Sequence, residues 1–290
     1  MSTATVLYDA PGPRARVRNT ILSVVFVVVL LALLWWMISA LSGKGELAWA
    51  KWRNIGDGQL WINILLPGLL STLKAAALSL IIALPIGGLL ALGRLSDHRW
   101  LRWPCAVVVE FFRAIPVLLL MVFAKALFVA GEVGGEGNQA FLAVVTGLVL
   151  YNASVLAEVF RSGITSLPKG QTEAAMAIGL RKGQLMRMIL LPQAFTAMLP
   201  AIVSQLVVIV KDTALGSQLT ILYPELLASA RNITALSLNS GGVGVVATYI
   251  LIAVIFIVVN FILTSLAGTL EKKLRLRRPR KVKPAIVPTA

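Results

Sequence analysis

The chain has 290 residues, of which 58% are hydrophobic and only 13% are charged, and its mean hydropathy is +0.86. These values exclude an ordinary soluble globular protein and predict an integral membrane protein. The 27 Lys and Arg against 12 Asp and Glu give a net charge of +15, which in a soluble protein would indicate a nucleic-acid partner. Position argues against nucleic acid, because the densest basic run directly follows an apolar segment and is typical of a cytoplasmic anchor at anionic lipid headgroups. This run comprises Lys272, Lys273, Arg275, Arg277, Arg278, Arg280, Lys281 and Lys283.

The first predicted element is an apolar run from about 20 to 42, after a tail of residues 1–19. Three arginines precede the run: Arg14, Arg16 and Arg18. Basic residues before an apolar run resemble a signal peptide, but this run exceeds the roughly 7–15 apolar residues of a cleavable signal and reaches the roughly 20 that cross a bilayer. We therefore predict a transmembrane helix. The segment that follows, 48–66, places three tryptophans among charges and is predicted to lie at the membrane surface.

Five more apolar stretches follow, at about 68–93, 104–130, 139–161, 194–217 and 246–270. Each is long enough to span a bilayer, so the chain is predicted to be all-α with about six transmembrane helices and both termini on one side. Lys and Arg accumulate in the loops after the second and fourth spans, whereas the loop with Glu132 and Glu136 has no basic residue. The positive-inside rule then places both termini and the loop 162–193 in the cytoplasm.

The loop of residues 162–193, named the EAA loop below, is polar and helix-forming. We predict a short helix from about 173 to 178, with Thr172 as its N-cap and Gly179 at its end. The loop contains the spacing EAA-x3-G-x9-I-x-L-P in the residues Glu173, Ala174, Ala175, Gly179, Ile189, Leu191 and Pro192. Alanine permits close approach of another surface, glycine permits a chain reversal, and proline suits the start of a helix.

This motif resembles the EAA signature of permease subunits of ABC importers, in particular those for polar amino acids of the His/Glu/Gln type. Three further segments carry the resemblance: 110–116 (EFFRAIP), 157–171 (AEVFRSG to PKGQ) and 211–213 (KDT). It covers residues from about 68 to 270. The additional first helix makes the chain similar to the larger permease of actinobacterial glutamate/glutamine uptake systems.

The resemblance implies a type I ABC importer transmembrane domain over 68–270, an extra first helix and interfacial segment over 20–67, and a basic cytoplasmic tail over 271–290. It implies ABC ATPase subunits, a second homologous permease and an extracytoplasmic amino acid-binding protein as partners in the plasma (inner) membrane. The EAA loop would dock on the ATPase and drive alternating access. ATP and Mg would reside on the ATPase and no cofactor on this chain, which contains no Gly-x4-Gly-Lys-Ser/Thr loop.

Ionisable residues within apolar helices are costly and favour a bundle interior or an aqueous pathway. Glu110 and Arg113, and likewise Glu158 and Arg161, are spaced i, i+3, so each pair can neutralise itself. For both arginines, snorkelling to the cytoplasmic interface is an alternative to a role in the pathway.

Two charged residues, Lys211 and Asp212, end the apolar part of the fifth span. The resemblance places Glu158, Lys211 and Asp212 near the cavity that receives the amino acid, and together they offer a zwitterion both an anionic and a cationic partner. The polar side chains of Asn152, Ser154 and Thr213 are further candidates, although such side chains also join transmembrane helices to each other.

Two other functions are compatible with parts of the sequence. An ion-coupled secondary amino acid transporter would use Glu158 and Asp212 as coupling carboxylates, but it leaves the EAA loop unexplained. An intramembrane enzyme would need a nucleophile with a base, or a metal site, and the lone His98 and Cys105 supply neither; only a Ser–Lys pair stays open. We therefore predict a transporter subunit with no catalytic residue and no metal.

Overall fold

The computed structural model describes residues 12–135, 137–219, 223–240 and 242–276, with backbone only for 237–240 and 270–276. Every regular element in this part of the chain is helical, which confirms the predicted all-α class. Five helical segments are long and apolar enough to cross a membrane, and a bent pair supplies a sixth span if it is counted as one. Glu136 and most of the basic tail lie outside the described residues.

Helix α1 (Pro13–Gly43) contains the predicted first span, extended at its start. Proline is favoured in the first turn of a helix because its missing N–H would have no partner there. None of the residues of α1 is buried, and Trp35 and Trp36 are 75% and 69% exposed. After Asn19 the helix is predominantly apolar on every side, so the surroundings of this part are lipid or another membrane protein.

Residues 44–65 form an ordered strap that contains α2 (Trp49–Arg53) and α3 (Gly58–Leu60). The indole of Trp52 donates to the Glu46 carbonyl at 2.9 Å, and Trp61 donates to the Ile55 carbonyl at 2.8 Å. The Glu46 carboxylate accepts from the Val246 amide at 3.2 Å, and a hydrogen bond from Lys51 lowers the pKa of this carboxyl. The strap is thereby fastened to the start of the last helix.

The bundle is centred on α4 (Leu66–Arg94) and α7 (Gln139–Thr165), which pack along much of their length. Glycine makes this close approach possible. A Cβ on Gly87 of α4 would lie 2.8 Å from the Ala153 carbonyl oxygen of α7, and one on Gly147 of α7 would lie 2.8 Å from the Met121 amide nitrogen of the neighbouring helix 117–130. Real Cβ atoms do not approach backbone so closely, so glycine sets the spacing of these helices.

The predicted span 104–130 is broken near its middle. Two helices replace it, α5 (Arg99–Ala114) and α6 (Val117–Ala130), and their axes differ by 101°. Ile115 is extended, with φ −89° and ψ 130°, because the ring of a following proline disfavours helical geometry. Pro116 also lacks the N–H that would continue the helix, so the chain breaks into two helices here.

The EAA loop contains α8 (Lys169–Ala177) and α9 (Lys182–Leu185). The predicted start at 173 and the predicted N-cap Thr172 are wrong: Pro168 is the N-cap, and Thr172 lies inside the helix. The helix ends as predicted, because Gly179 adopts φ +81°, a conformation that favours glycine.

A π turn at Met186–Leu190 leads from α9 into α10 (Leu191–Asp212), with Pro192 in the first turn as predicted. A 3-10 segment, Thr213–Gln218, continues α10, and α11 (Leu226–Ser240) and α12 (Val245–Leu276) complete the fold. Together α9, α10 and the 3-10 segment form one apolar span from Lys182 to Gln218. The EAA loop and the 3-10 segment therefore lie at opposite ends of the bundle.

Candidate functional site

The surface of the EAA loop is more apolar than its sequence context suggests. Glu173, Ala174 and Gly179 are exposed as expected of a docking surface. Beside them Met176 and Ile178 are 57% and 77% exposed. Large apolar side chains on a polar loop outside the membrane indicate contact with another protein. Neither residue was among the predicted docking residues, although two large apolar residues inside a polar loop are a usable sequence signal.

Three other residues of the motif face the chain itself. Ala175 is 3% exposed and belongs to a hydrophobic cluster that contains Leu156 and Ala194. Ile189 and Leu191 are half-buried against the same cluster. The close approach expected at Ala175 is therefore made by the chain's own bundle, because the small side chain permits close packing of α8 onto it.

Polar contacts join the EAA loop to the membrane helices. The Lys182 ammonium donates to the Leu95 carbonyl at 3.1 Å and forms an ion pair with Asp97 in the turn between α4 and α5. This hydrogen bond from Lys182 lowers the pKa of Asp97. The Gln171 amide donates to Oε1 of Gln193 in α10 at 3.1 Å. These contacts join the EAA loop to the turn between α4 and α5 and to α10.

The four predicted charges of α5 and α7 belong to one network, and Arg94 of α4 joins the two pairs. Its guanidinium lies 3.2 Å from Glu110 and 3.0 Å from Glu158. The predicted local pairs are also present, with Arg113 at 3.5 Å from Glu110 and the Arg161 Nε at 3.1 Å from Glu158. Arg94 was not among the predicted site residues, because nothing in the sequence shows which helices are neighbours.

The three predicted polar side chains are engaged inside the bundle. The Asn152 amide donates to the Leu148 carbonyl at 2.7 Å and its Oδ1 accepts from Gln205 of α10. Ser154 donates to the Leu150 carbonyl at 3.0 Å, and Thr213 to the Val210 carbonyl at 2.7 Å. All three residues are buried, which favours the role in helix packing over direct contact with a transported molecule.

Lys211 lines a cavity of about 580 Å³ between α10, α11 and α12. Apolar side chains dominate its walls, and Tyr249 and Asn260 are its other polar members. The Asn260 amide donates to the Phe256 carbonyl at 2.7 Å, and its Oδ1 has no partner among the described residues. Asp212 is half-buried beside this cavity and does not line it. No hydrogen bond or ion pair between described residues joins Asp212 to the charge network around Glu158.

The helices that carry these features match a known family over most of their length. Residues 83–276 match the model of the family "Binding-protein-dependent transport system inner membrane component". The chain belongs to this family. The match includes the EAA loop, the charge network and the 3-10 segment, and it begins within α4, after α1 and the strap.

Individual relatives of this permease are amino acid transport proteins. It is 49% identical over 248 residues to the glutamate transport system permease protein GluD of Corynebacterium glutamicum, covering 86% of this chain and 88% of that one. It is 32% identical over 214 residues to the arginine transport system permease protein ArtQ of Bacillus subtilis, covering 74% and 94%. A solved structure of an amino acid ABC transporter is 26% identical, with a TM-score of 0.65 and coverage of 73% and 95%.

Among the described residues, no group of three or more His, Cys, Asp or Glu side chains is placed to hold a metal ion.

Proposed function

We propose that this permease carries an amino acid of the glutamate/glutamine type through the inner membrane as part of an ATP-driven importer. The exposed pair Met176 and Ile178 beside the Gly179 turn is the observation that supports the proposal best. A secondary transporter has no use for an apolar docking surface outside the membrane. The 49% identity to a glutamate permease supports the substrate class.

In this proposal the partner ATPase binds α8 and supplies the driving force from ATP and Mg that it holds itself. Closure of the ATPase dimer displaces the EAA loop. The contacts of Lys182 and Gln171 pass that displacement to α4, α5 and α10. These helices then alternate between a pathway open to one side of the membrane and a pathway open to the other.

The amino acid is recognised at the end of α10. Lys211 offers a cation to the α-carboxylate and Asp212 offers a carboxylate to the α-ammonium group, since a zwitterion needs both. Glu158 is less suited, because Arg94 and Arg161 already satisfy its carboxylate. Glu110 and Arg113 keep 59% and 37% of their side chains exposed, so they are available to the pathway or to the second permease.

The remaining partners follow from the family. An extracytoplasmic binding protein delivers the amino acid to the end of the bundle that carries the 3-10 segment. A second homologous permease completes the pore. Both termini and the EAA loop face the cytoplasm, in keeping with the basic residues Arg94, Arg99, Lys169 and Arg181 at that end.

Affinity purification of the tagged chain from detergent-solubilised membranes, followed by mass spectrometry, tests the proposal. We expect an ABC ATPase and a second permease to accompany the chain in comparable amounts. A chain that purifies without them and still transports in liposomes without ATP would be an ion-coupled secondary transporter, and the proposal would fail.

A further inference from the structure

Two cations from different helices converge on the 3-10 segment Thr213–Gln218 and the residue that follows it. The Lys125 ammonium of α6 donates to the Leu219 carbonyl at 3.0 Å. The Arg231 guanidinium of α11 donates to the Ser217 carbonyl at 2.8 Å. Both acceptors lie at the carboxyl end of a helical segment, where carbonyl groups lack helical partners and carry partial negative charge.

Lys125 is an unusual residue for its position. It is the only charged residue among the 14 residues of α6, and a lysine within a membrane helix is energetically costly unless it finds a polar partner. Among the residues that the structure describes, neither Lys125 nor Arg231 lies within ion-pair distance of a carboxylate. The hydrogen bond from Lys125 to the Leu219 carbonyl is therefore a specific contact that offsets the cost of its charge, and Arg231 adds a second charge-assisted hydrogen bond from an exposed position.

The segment that the cations hold is tightly packed. Thr213, Gly216 and Ser217 are buried, and a Cβ on Gly216 would lie 2.8 Å from both Tyr223 and Val144. Tyr223 in turn donates to the Ser71 carbonyl of α4 at 3.0 Å. The segment directly continues Lys211 and Asp212, so its position sets the position of the proposed recognition residues.

We propose that Lys125 and Arg231 are positioning residues that clamp the segment Thr213–Leu219 in the closed state of the end opposite the EAA loop. The clamp rests on the proposed function in that a transport pathway must be closed at this end while it is open at the other. Neither residue needs to touch the transported amino acid. Movement of α6 about the break at Pro116 would release the lysine and open the segment.

Accessibility of a cysteine at position 217 tests the clamp directly. In a Cys105→Ser background, which removes the single native cysteine, Ser217→Cys keeps the backbone carbonyl that accepts from Arg231. The whole transporter, with its ATPase, is placed in vesicles without nucleotide and treated with a membrane-impermeant maleimide from the side opposite the EAA loop. Because Ser217 is buried, we expect slow labelling.

Adding Lys125→Met should accelerate the labelling about tenfold, the equilibrium effect of losing one charge-assisted hydrogen bond. Arg231→Met should also accelerate the labelling. Lys125→Arg, which keeps the positive charge, should leave the labelling slow. Leu127→Ala is the matched control, because Leu127 lies on the same helix and is 71% exposed. Equal rates in the Lys125→Met and unsubstituted backgrounds, or the same acceleration in Leu127→Ala, would overturn the clamp.

Uptake in the same vesicles separates the clamp from the proposed function. With Lys125→Met, the amino acid transported per ATP should fall while its half-saturating concentration stays unchanged, because the clamp does not contact the amino acid. A shift in half-saturation at constant uptake per ATP would count against a positioning role. Absence of ATP-driven uptake by the unsubstituted protein would contradict the proposed function and leave the labelling rates to decide on the clamp.

Discussion

The two ends of the bundle differ in the groups that they expose and bury. At the EAA-loop end, apolar side chains are exposed and long polar side chains such as Lys182 and Gln171 join the loop to the helices. At the other end, polar groups are buried and satisfied within the chain. The Glu225 carboxylate accepts from the Leu227 and Ala228 amides at 2.7 and 2.6 Å, and Thr72 accepts from the Leu226 amide at 3.1 Å.

This difference suits a chain that binds a partner at one end and stays closed at the other. Apolar surface left exposed gains free energy only when a partner covers it. Buried polar groups with satisfied hydrogen bonds resist opening, because separating them leaves unpaired groups. Substitutions at the EAA-loop end should therefore affect partner binding, and substitutions within the bundle should affect packing.

The largest effect is expected from Ile178→Asp. Placing a carboxylate at the centre of a docking surface should lower ATP-driven uptake about a hundredfold, within the range of interface hot spots. The amount of permease in the membrane should not change, because Ile178 is 77% exposed. Val133→Asp is the control, since Val133 is 48% exposed on the loop between α6 and α7. Normal co-purification of the ATPase with the Ile178 variant would show that docking occurs elsewhere.

Two adjacent glycines test the packing of the bundle. Gly87→Ala should destabilise the protein by about 1–3 kcal/mol, the usual cost of overpacking, because its Cβ would lie 2.8 Å from the Ala153 carbonyl oxygen. Gly88→Ala should be neutral or stabilising, because its nearest neighbour is a side-chain atom of Phe160 at 4.0 Å. Thermal unfolding in detergent measures both variants. Equal melting temperatures would refute the contact between α4 and α7.

The turn that ends α8 gives a smaller effect. Gly179→Ala should destabilise the turn at the end of α8 locally by about 1–2 kcal/mol, because alanine is strained at the φ of +81°. Nothing lies within 4 Å of the added methyl group, so the effect is one of backbone conformation alone. ATP-driven uptake should fall several-fold while the bundle keeps its stability. Gly183→Ala is the control, because Gly183 lies in the same loop, has open space around an added methyl group and has no positive φ. This variant should transport normally. A loss shared by both variants would contradict the role of the turn.

The smallest effect is expected at the ion pair between Asp97 and Lys182. Asp97→Lys or Lys182→Asp should each lower uptake per ATP no more than about threefold, because exposed ion pairs contribute about 0–1 kcal/mol. The double exchange should recover part of the loss, since the opposite charges again face each other. Additive losses in the double variant would show that the pair does not link the loop to α4.

The sequence predicts those features of the fold and the site that depend on residues close together in the chain. The spans and the EAA motif are continuous in the sequence, and the structure bears out the helical class and the positions of Gly179 and Pro192. The break at Pro116 was underestimated because Ile115 and Pro116 are apolar and lie within an unbroken hydrophobic run. Thr172 was a plausible N-cap, but the N-cap is Pro168, four residues earlier, and the helix begins at Lys169.

Contacts between segments far apart in the chain could not be predicted from the sequence. Arg94 joins two pairs on other helices, and Ala175 faces the bundle, although an alanine suits a partner surface equally well. Lys125 lies within a predicted span and was a usable sequence signal, but its acceptor, 94 residues away, could not be predicted. Glu225 is a buried carboxylate between the last two predicted spans, where the sequence does not indicate burial. Each of these assignments requires knowledge of which elements are neighbours.

The most direct test of the permease assignment is uptake of radiolabelled glutamate into proteoliposomes that contain the chain with its co-purified partners and the binding protein. We predict uptake that requires enclosed ATP, is competed by glutamine, and is lost with Ile178→Asp. Uptake by the chain without ATPase, driven by a sodium or proton gradient, would contradict the assignment.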